Sequence, residues 1–131
     1  MIVLYVDDDS DDLEIFGAAI HAIHPSVNYN EFEAGEKIID FLRREKVKPD
    51  YIFVDINMPK MNGYECAQEI VSGYGIECSH IVMYSTHFSP RDMETFNRMG
   101  VKMLQKADSF DQLVKNLRRL LASNQPMAVS G

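Results

Sequence analysis

The chain has 131 residues, 46% apolar and 25% charged, with a formal net charge of −7. That length fits one domain with one sizeable core, and no more. The acidic balance disfavours nucleic acid as a partner of the whole chain, because phosphate backbones are held by clustered Lys and Arg, and no apolar run approaches the roughly 20 residues of a membrane helix.

Met1–Val6 is a continuous apolar run, as in a strand buried on both faces. It is too short for a signal peptide and runs straight into acids. The acidic stretch Asp7–Asp12 leads into a helix whose Leu13, Phe16, Ala19, Ile20 and Ile23 share one face. Asp11 and Asp12 read as a solvated helix start, with Ser10 or Asp11 as the cap, and Pro25 stops the helix. Val27–Phe32 is a weaker strand signal nearer a sheet edge, with Val27, Tyr29 and Phe32 inward. Ala34–Arg44 repeats the helical stripe through Ile38, Ile39, Phe41 and Leu42. Tyr51–Val54 is the next strand and ends at Asp55. Asn62–Ser72 is a helix closed by Gly73 and Gly75, and His80–Tyr84 is a strand ended by Ser85. Ser89 caps a helix over Pro90–Met99, with Pro90 at its first position and Gly100 at its C-terminus. Val101–Gln105 is the fifth strand, ended by Lys106, and Ser109–Leu121 the last helix, with Phe110, Leu113, Leu117, Leu120 and Leu121 inward. Residues 1–123 form the domain, and residues 124–131 read as a short flexible tail.

A strand–helix unit repeated five times implies an α/β fold: a parallel sheet, helices on both faces, right-handed crossovers. Ligands of such sheets bind outside the carboxyl ends of the strands. Asp7 and Asp8 stand there after strand 1, Asp55 after strand 3, Ser85 and Thr86 after strand 4, and Lys106 after strand 5. Converging carboxylates repel, and a hard divalent cation resolves the conflict. Oxygen-only ligands suit Mg²⁺, which takes phosphate as a co-ligand. A carboxylate can be the nucleophile of phosphoryl transfer. A cation, an ammonium and a hydroxyl then answer the charge on the phosphoryl oxygens. Cys66 and Cys78 lack metal or redox spacing and read as free thiols of a reducing cytoplasm.

At these residues the chain resembles the response-regulator receiver family over Met1 to about Leu121. The carriers are LYVDDD, FVDINMPKMNG, VMYST and LQK. The middle motif is the most specific, with Asp55 followed by Asn57, Met58, Pro59 and Gly63. The resemblance implies a doubly wound (βα)5 flavodoxin-like sheet of strand order 2-1-3-4-5, which makes strands 1 and 3 neighbours. It implies that Asp55 is the phosphoacceptor, with Mg²⁺ or Mn²⁺ held by Asp7, Asp8, Asp55 and the backbone carbonyl of Asn57. Asp8 matches the direct ligand, and Asp7 acts largely through metal-bound water. Ser85 matches the family hydroxyl ahead of its neighbour Thr86, and Lys106 the family lysine. The implied partners are a histidine kinase or phosphotransfer protein, and a downstream protein bound by helix 4, strand 5 and helix 5. The implied oligomeric state is a monomer or a phosphorylation-dependent homodimer.

Two positions depart from the family. Ala107 stands where a proline usually follows the lysine, and Met103 where an aromatic residue usually serves as a rotameric switch. A thioether cannot relay a signal by swinging a ring, so the segment Ser85–His87 is the expected relay. A chain of this length leaves no room for an output domain, so output is expected through binding of another protein, in the cytoplasm, without turnover of an external metabolite. The competing reading is a small aspartyl-phosphate phosphatase with its nucleophile after strand 1. That class wants a D-x-D-x-T motif, and Asp7–Asp11 lacks the Thr.

Overall fold

The structure, a computed structural model, describes residues 1–123. The tail expected over 124–131 lies outside the described residues. The elements follow in chain order as β1 (Ile2–Val6), α1 (Ser10–Ile23), β2 (Asn28–Phe32), α2 (Gly35–Glu45), β3 (Tyr51–Asp55), α3 (Gly63–Gly73), β4 (Ile81–Ser85), α4 (Pro90–Met99), β5 (Lys102–Gln105) and α5 (Phe110–Ser123). A short 3₁₀ turn, Cys78–His80, precedes β4.

The five strands form one sheet in the order β2-β1-β3-β4-β5, every pair parallel. This is the doubly wound arrangement expected from the sequence. Alternation along the central strands splits the core in two. Leu4, Val6, Ile52, Val54, Ile81 and Met83 face the buried stripes of α2, α3 and α4. Val3, Tyr5, Tyr51, Phe53, Val82 and Tyr84 face α1 and α5. Aromatic rings fill much of the second layer, with Phe16 of α1 packed on Tyr5 (4.5 Å between centroids) and Phe53 (4.7 Å).

Several local expectations change. Val27 and Tyr29 pack on the α1/α5 side, but Phe32 lies on the other face against Phe41 of α2. A period of two cannot put residues 27, 29 and 32 on one face. Asp9, not Ser10 or Asp11, caps α1: its carboxylate accepts the N–H groups of Asp11 and Asp12 at 2.9 and 3.2 Å. β4 starts at Ile81, because His80 closes the 3₁₀ turn and its Nδ1 donates to the Asp50 carbonyl at 2.9 Å. Phe110 opens α5 one turn ahead of Leu113, where the stripe meets the core, and remains 45% exposed.

Candidate functional site

Register brings the candidate residues level. Val6 pairs with Val54, so Asp7 and Asp55 leave neighbouring strands side by side. Asp55 in turn pairs with Tyr84, and Ser85 with Gln105, which brings Lys106 to the same edge. The Lys106 N–H donates to the Ser85 carbonyl at 2.7 Å and ties the ends of β4 and β5 together.

Asp7 is 1% exposed. Tyr5 is two residues earlier on the same face of β1, and its hydroxyl donates to Asp7 Oδ2. The Asp9 N–H donates to Asp7 Oδ1 at 2.9 Å, and Lys106 Nζ to Oδ2 at 2.8 Å. Burial and the Asp7 charge hold the Tyr5 phenol far above its ordinary pKa, so it stays a donor. Asp8 is exposed at the rim. Asp55 is 7% exposed, with Oδ1 3.3 Å from Lys106 Nζ. Burial pushes its pKa from the ordinary 3.8 up to about 6, the Asp7 charge adds to the rise, and Lys106 opposes it. Burial by itself depresses the Lys106 ammonium, but hydrogen bonds to Asp12 and Asp7 and the charges of Asp7 and Asp55 outweigh that. Lys106 therefore remains protonated. The face of the Tyr84 ring lies 5.5 Å from Nζ, within cation–π reach.

The turn after β3 is built around the Asp55 backbone. The Met61 N–H donates to the Pro59 carbonyl at 2.8 Å, a γ-turn that puts Lys60 at φ 67°. The Gly63 N–H donates to the Ile56 carbonyl at 2.8 Å and closes the loop. A Cβ on Gly63 would stand 2.2 Å from the Asp55 carbonyl oxygen and 2.7 Å from Ile56 Cα, so only glycine fits. Asn57 is exposed on this turn, two residues past Asp55. Ser85 is buried, and its hydroxyl donates to the His87 carbonyl at 3.0 Å. Thr86 is exposed, and its carbonyl accepts from Gln105 Nε2 at 3.0 Å. Met103 of β5 is half-buried against the α2/α3/α4 side of the core.

Carboxylate oxygens of Asp7, Asp8 and Asp55 lie within 4.8 Å of one another, the one group of potential metal-ligating side chains so arranged among the described residues. The set is all oxygen and two of its members are buried, which fits a hard divalent cation and not zinc. One participant escapes a sequence reading. Asp12, taken there for a solvated helix start, accepts from Lys106 Nζ at 2.7 Å. The Tyr5–Asp7 bond was legible in principle, since residues two apart on a strand share a face.

A family model described as response regulator receiver domain matches residues 3–118. The chain belongs to the response regulator receiver family. Receiver domains are signalling phosphoacceptors of two-component systems, served by histidine kinases or phosphotransfer proteins, and generally not enzymes acting on metabolites. The stress response regulator protein 1 of Candida albicans (strain WO-1) is 28% identical over 98 residues, 75% of this chain and 34% of that protein. This receiver thus spans about a third of the length of the first curated relatives it matches. The phosphorylated cyanobacterial phytochrome response regulator RcpA superposes with a TM-score of 0.82 at 21% identity, covering 95% of this chain and 96% of that one. The Mn²⁺-bound form of response regulator Rcp1 gives 0.78 at 20% identity, covering 92% and 91%. At these identities the two structures speak for the fold alone. Among the described residues of this receiver, no helix is long and apolar enough to cross a membrane.

Proposed function

We propose that this receiver is a phosphorylation-switched signalling module in which Asp55 takes a phosphoryl group from the phosphohistidine of a histidine kinase or phosphotransfer protein. The observation that carries the reading is the setting of Asp55. It is a buried carboxylate at a strand end, beside two further carboxylates and 3.3 Å from a protonated lysine.

An Asp55 oxygen attacks phosphorus, the O–P bond forms, the N–P bond to the donor imidazole breaks, and the imidazole, protonated on its other ring nitrogen in the donor, takes the electron pair and leaves neutral. Asp7, Asp8, Asp55 and the carbonyl of Asn57 would hold Mg²⁺ or Mn²⁺, as the all-oxygen donor set supports. When bound, that cation neutralises the carboxylates and offers a positive partner to the phosphoryl oxygens. Lys106 supplies the second positive partner from the β5 side. Ser85 supplies the hydroxyl, since it is buried at the end of β4 whereas Thr86 is exposed one residue beyond. To do so, Ser85 releases the His87 carbonyl it now holds. That release frees the segment Ser85–His87, which takes the signalling role that Met103 cannot fill by ring rotation. Output passes to a protein partner over α4, β5 and α5.

The phosphatase reading needs a free nucleophile after β1. Both Asp7 oxygens already accept hydrogen bonds, which weighs against it. Incubation with acetyl phosphate and Mg²⁺, followed by intact mass spectrometry, tests the proposal. One added phosphoryl group is expected, lost in Asp55→Asn and much slowed in Lys106→Ala. Uptake that survives Asp55→Asn contradicts it.

A further inference from the structure

Asp12 stands outside the three-carboxylate group, yet it makes the shortest contact of the Lys106 ammonium. Nζ donates to Asp12 Oδ2 at 2.7 Å and to Asp7 Oδ2 at 2.8 Å, while Asp55 Oδ1 is 3.3 Å away. Asp7 is fixed from its other sides by Tyr5 and the Asp9 N–H. Asp12 sits in the first turn of α1 and is 33% exposed. It therefore draws the ammonium towards α1 and away from the acceptor. The ammonium has three N–H bonds to give. Two go to Asp12 and Asp7 and one is left towards Asp55, so a phosphoryl group on Asp55 draws any further share of the ammonium from Asp12 or Asp7, and its own negative charge faces the Asp12 charge across the lysine.

We propose that Asp12 is a positioning residue that competes with the phosphoryl group for Lys106 and so weakens the hold of the site on it. The inference rests on the reading of Asp55 as the acceptor. The side chain of Asp12 accepts from the lysine, while its backbone N–H serves the Asp9 cap. A neutral side chain there thus leaves the helix cap in place.

Beryllofluoride, a non-covalent mimic of a phosphoryl group, tests this when titrated with Mg²⁺ into the full chain and followed by ¹⁹F NMR. Asp12→Asn and Asp12→Ser should both bind it about threefold to tenfold more tightly than wild type, where tenfold is about 1.4 kcal/mol. Asp12→Glu, which keeps the charge, should stay within about twofold of wild type on the same conversion. In the metal-free proteins, the ¹⁵N signal of the Lys106 ammonium should move in Asp12→Asn and stay near wild type in Asp12→Glu. A purely structural role for Asp12 would not separate the neutral variants from Asp12→Glu in this way. Equal or weaker beryllofluoride binding by both neutral variants, with wild type binding, overturns the role of Asp12 alone. No binding by wild type overturns the acceptor reading and this inference together.

Discussion

Among single residues, Asp55 carries the proposed chemistry and Gly63 carries the geometry. The missing Cβ of Gly63 leaves room for the Asp55 carbonyl and the Ile56 backbone. Gly63→Ala should therefore displace the proposed acceptor, lowering phosphoryl uptake from acetyl phosphate by tenfold or more, on the order of 1.4 kcal/mol or more in barrier. Thermal unfolding of the same variant should show a loss of about 1–3 kcal/mol. The raised pKa of Asp55 has a sign that can be checked. The folded state holds the proton up to about pH 6, and the unfolded chain releases it near the ordinary 3.8. Below the unfolded value both states are protonated and the group costs nothing. Between the two values the folded state binds more protons, so stability falls as pH rises, and the full cost stands above pH 6. Denaturant unfolding without divalent cations should show Asp55→Asn gaining on wild type across this window, by up to about 3 kcal/mol. A pH-independent difference would contradict the assignment of burial and Asp7 repulsion as the cause. These residues were only partly legible. Acids at strand ends announce themselves in a sequence. The Asp12–Lys106 pair does not, because 94 residues separate its members and acids at a helix start usually face water.

At the scale of elements, the strands and helices follow the apolar periodicity closely, and the exceptions have physical causes. The central strands are continuous apolar runs that only a doubly covered sheet can bury. β2 is harder to read because an edge strand is half solvated, and Phe32 serves the opposite face from Val27 and Tyr29. The sequence puts the cap of α1 at Ser10 or Asp11, because both residue types cap well, and the folded turn selects Asp9 instead. α4 is the clearest case, with Ser89 and Asp92 in a reciprocal capping box, Pro90 at the first turn and Gly100 at φ 86°. Ser89→Ala should cost about 1 kcal/mol in denaturant unfolding, through loss of the cap. Because α4 follows the Ser85–His87 segment, the same variant should show faster amide exchange in the first turn of α4. Unchanged exchange there would mean that the cap contributes little.

For the whole molecule, register matters most. Parallel pairing with level strand ends turns four separate sequence motifs into one acidic edge. Strand order came from the family resemblance, since an alternating βα pattern alone does not specify which strands are neighbours. Among the described residues, that edge sets the carboxylates of Asp7, Asp8, Asp12 and Asp55 against the ammonium of Lys106. The fold therefore stores repulsion that a bound cation would relieve. Millimolar Mg²⁺ should raise the melting temperature of wild type by a few degrees, corresponding to about 1–2 kcal/mol, and leave Asp55→Asn much less affected. Chelation should reverse the gain. The most direct measurement of the central claim is covalent mapping of the phosphorylated residue. Wild type is treated with acetyl phosphate and Mg²⁺, reduced with borohydride to convert an acyl phosphate to the alcohol, and digested for peptide mass spectrometry. The expected product is homoserine at position 55 and at no other acid. Reduction at Asp7 or Asp8, or no reduced residue at all, would contradict the account.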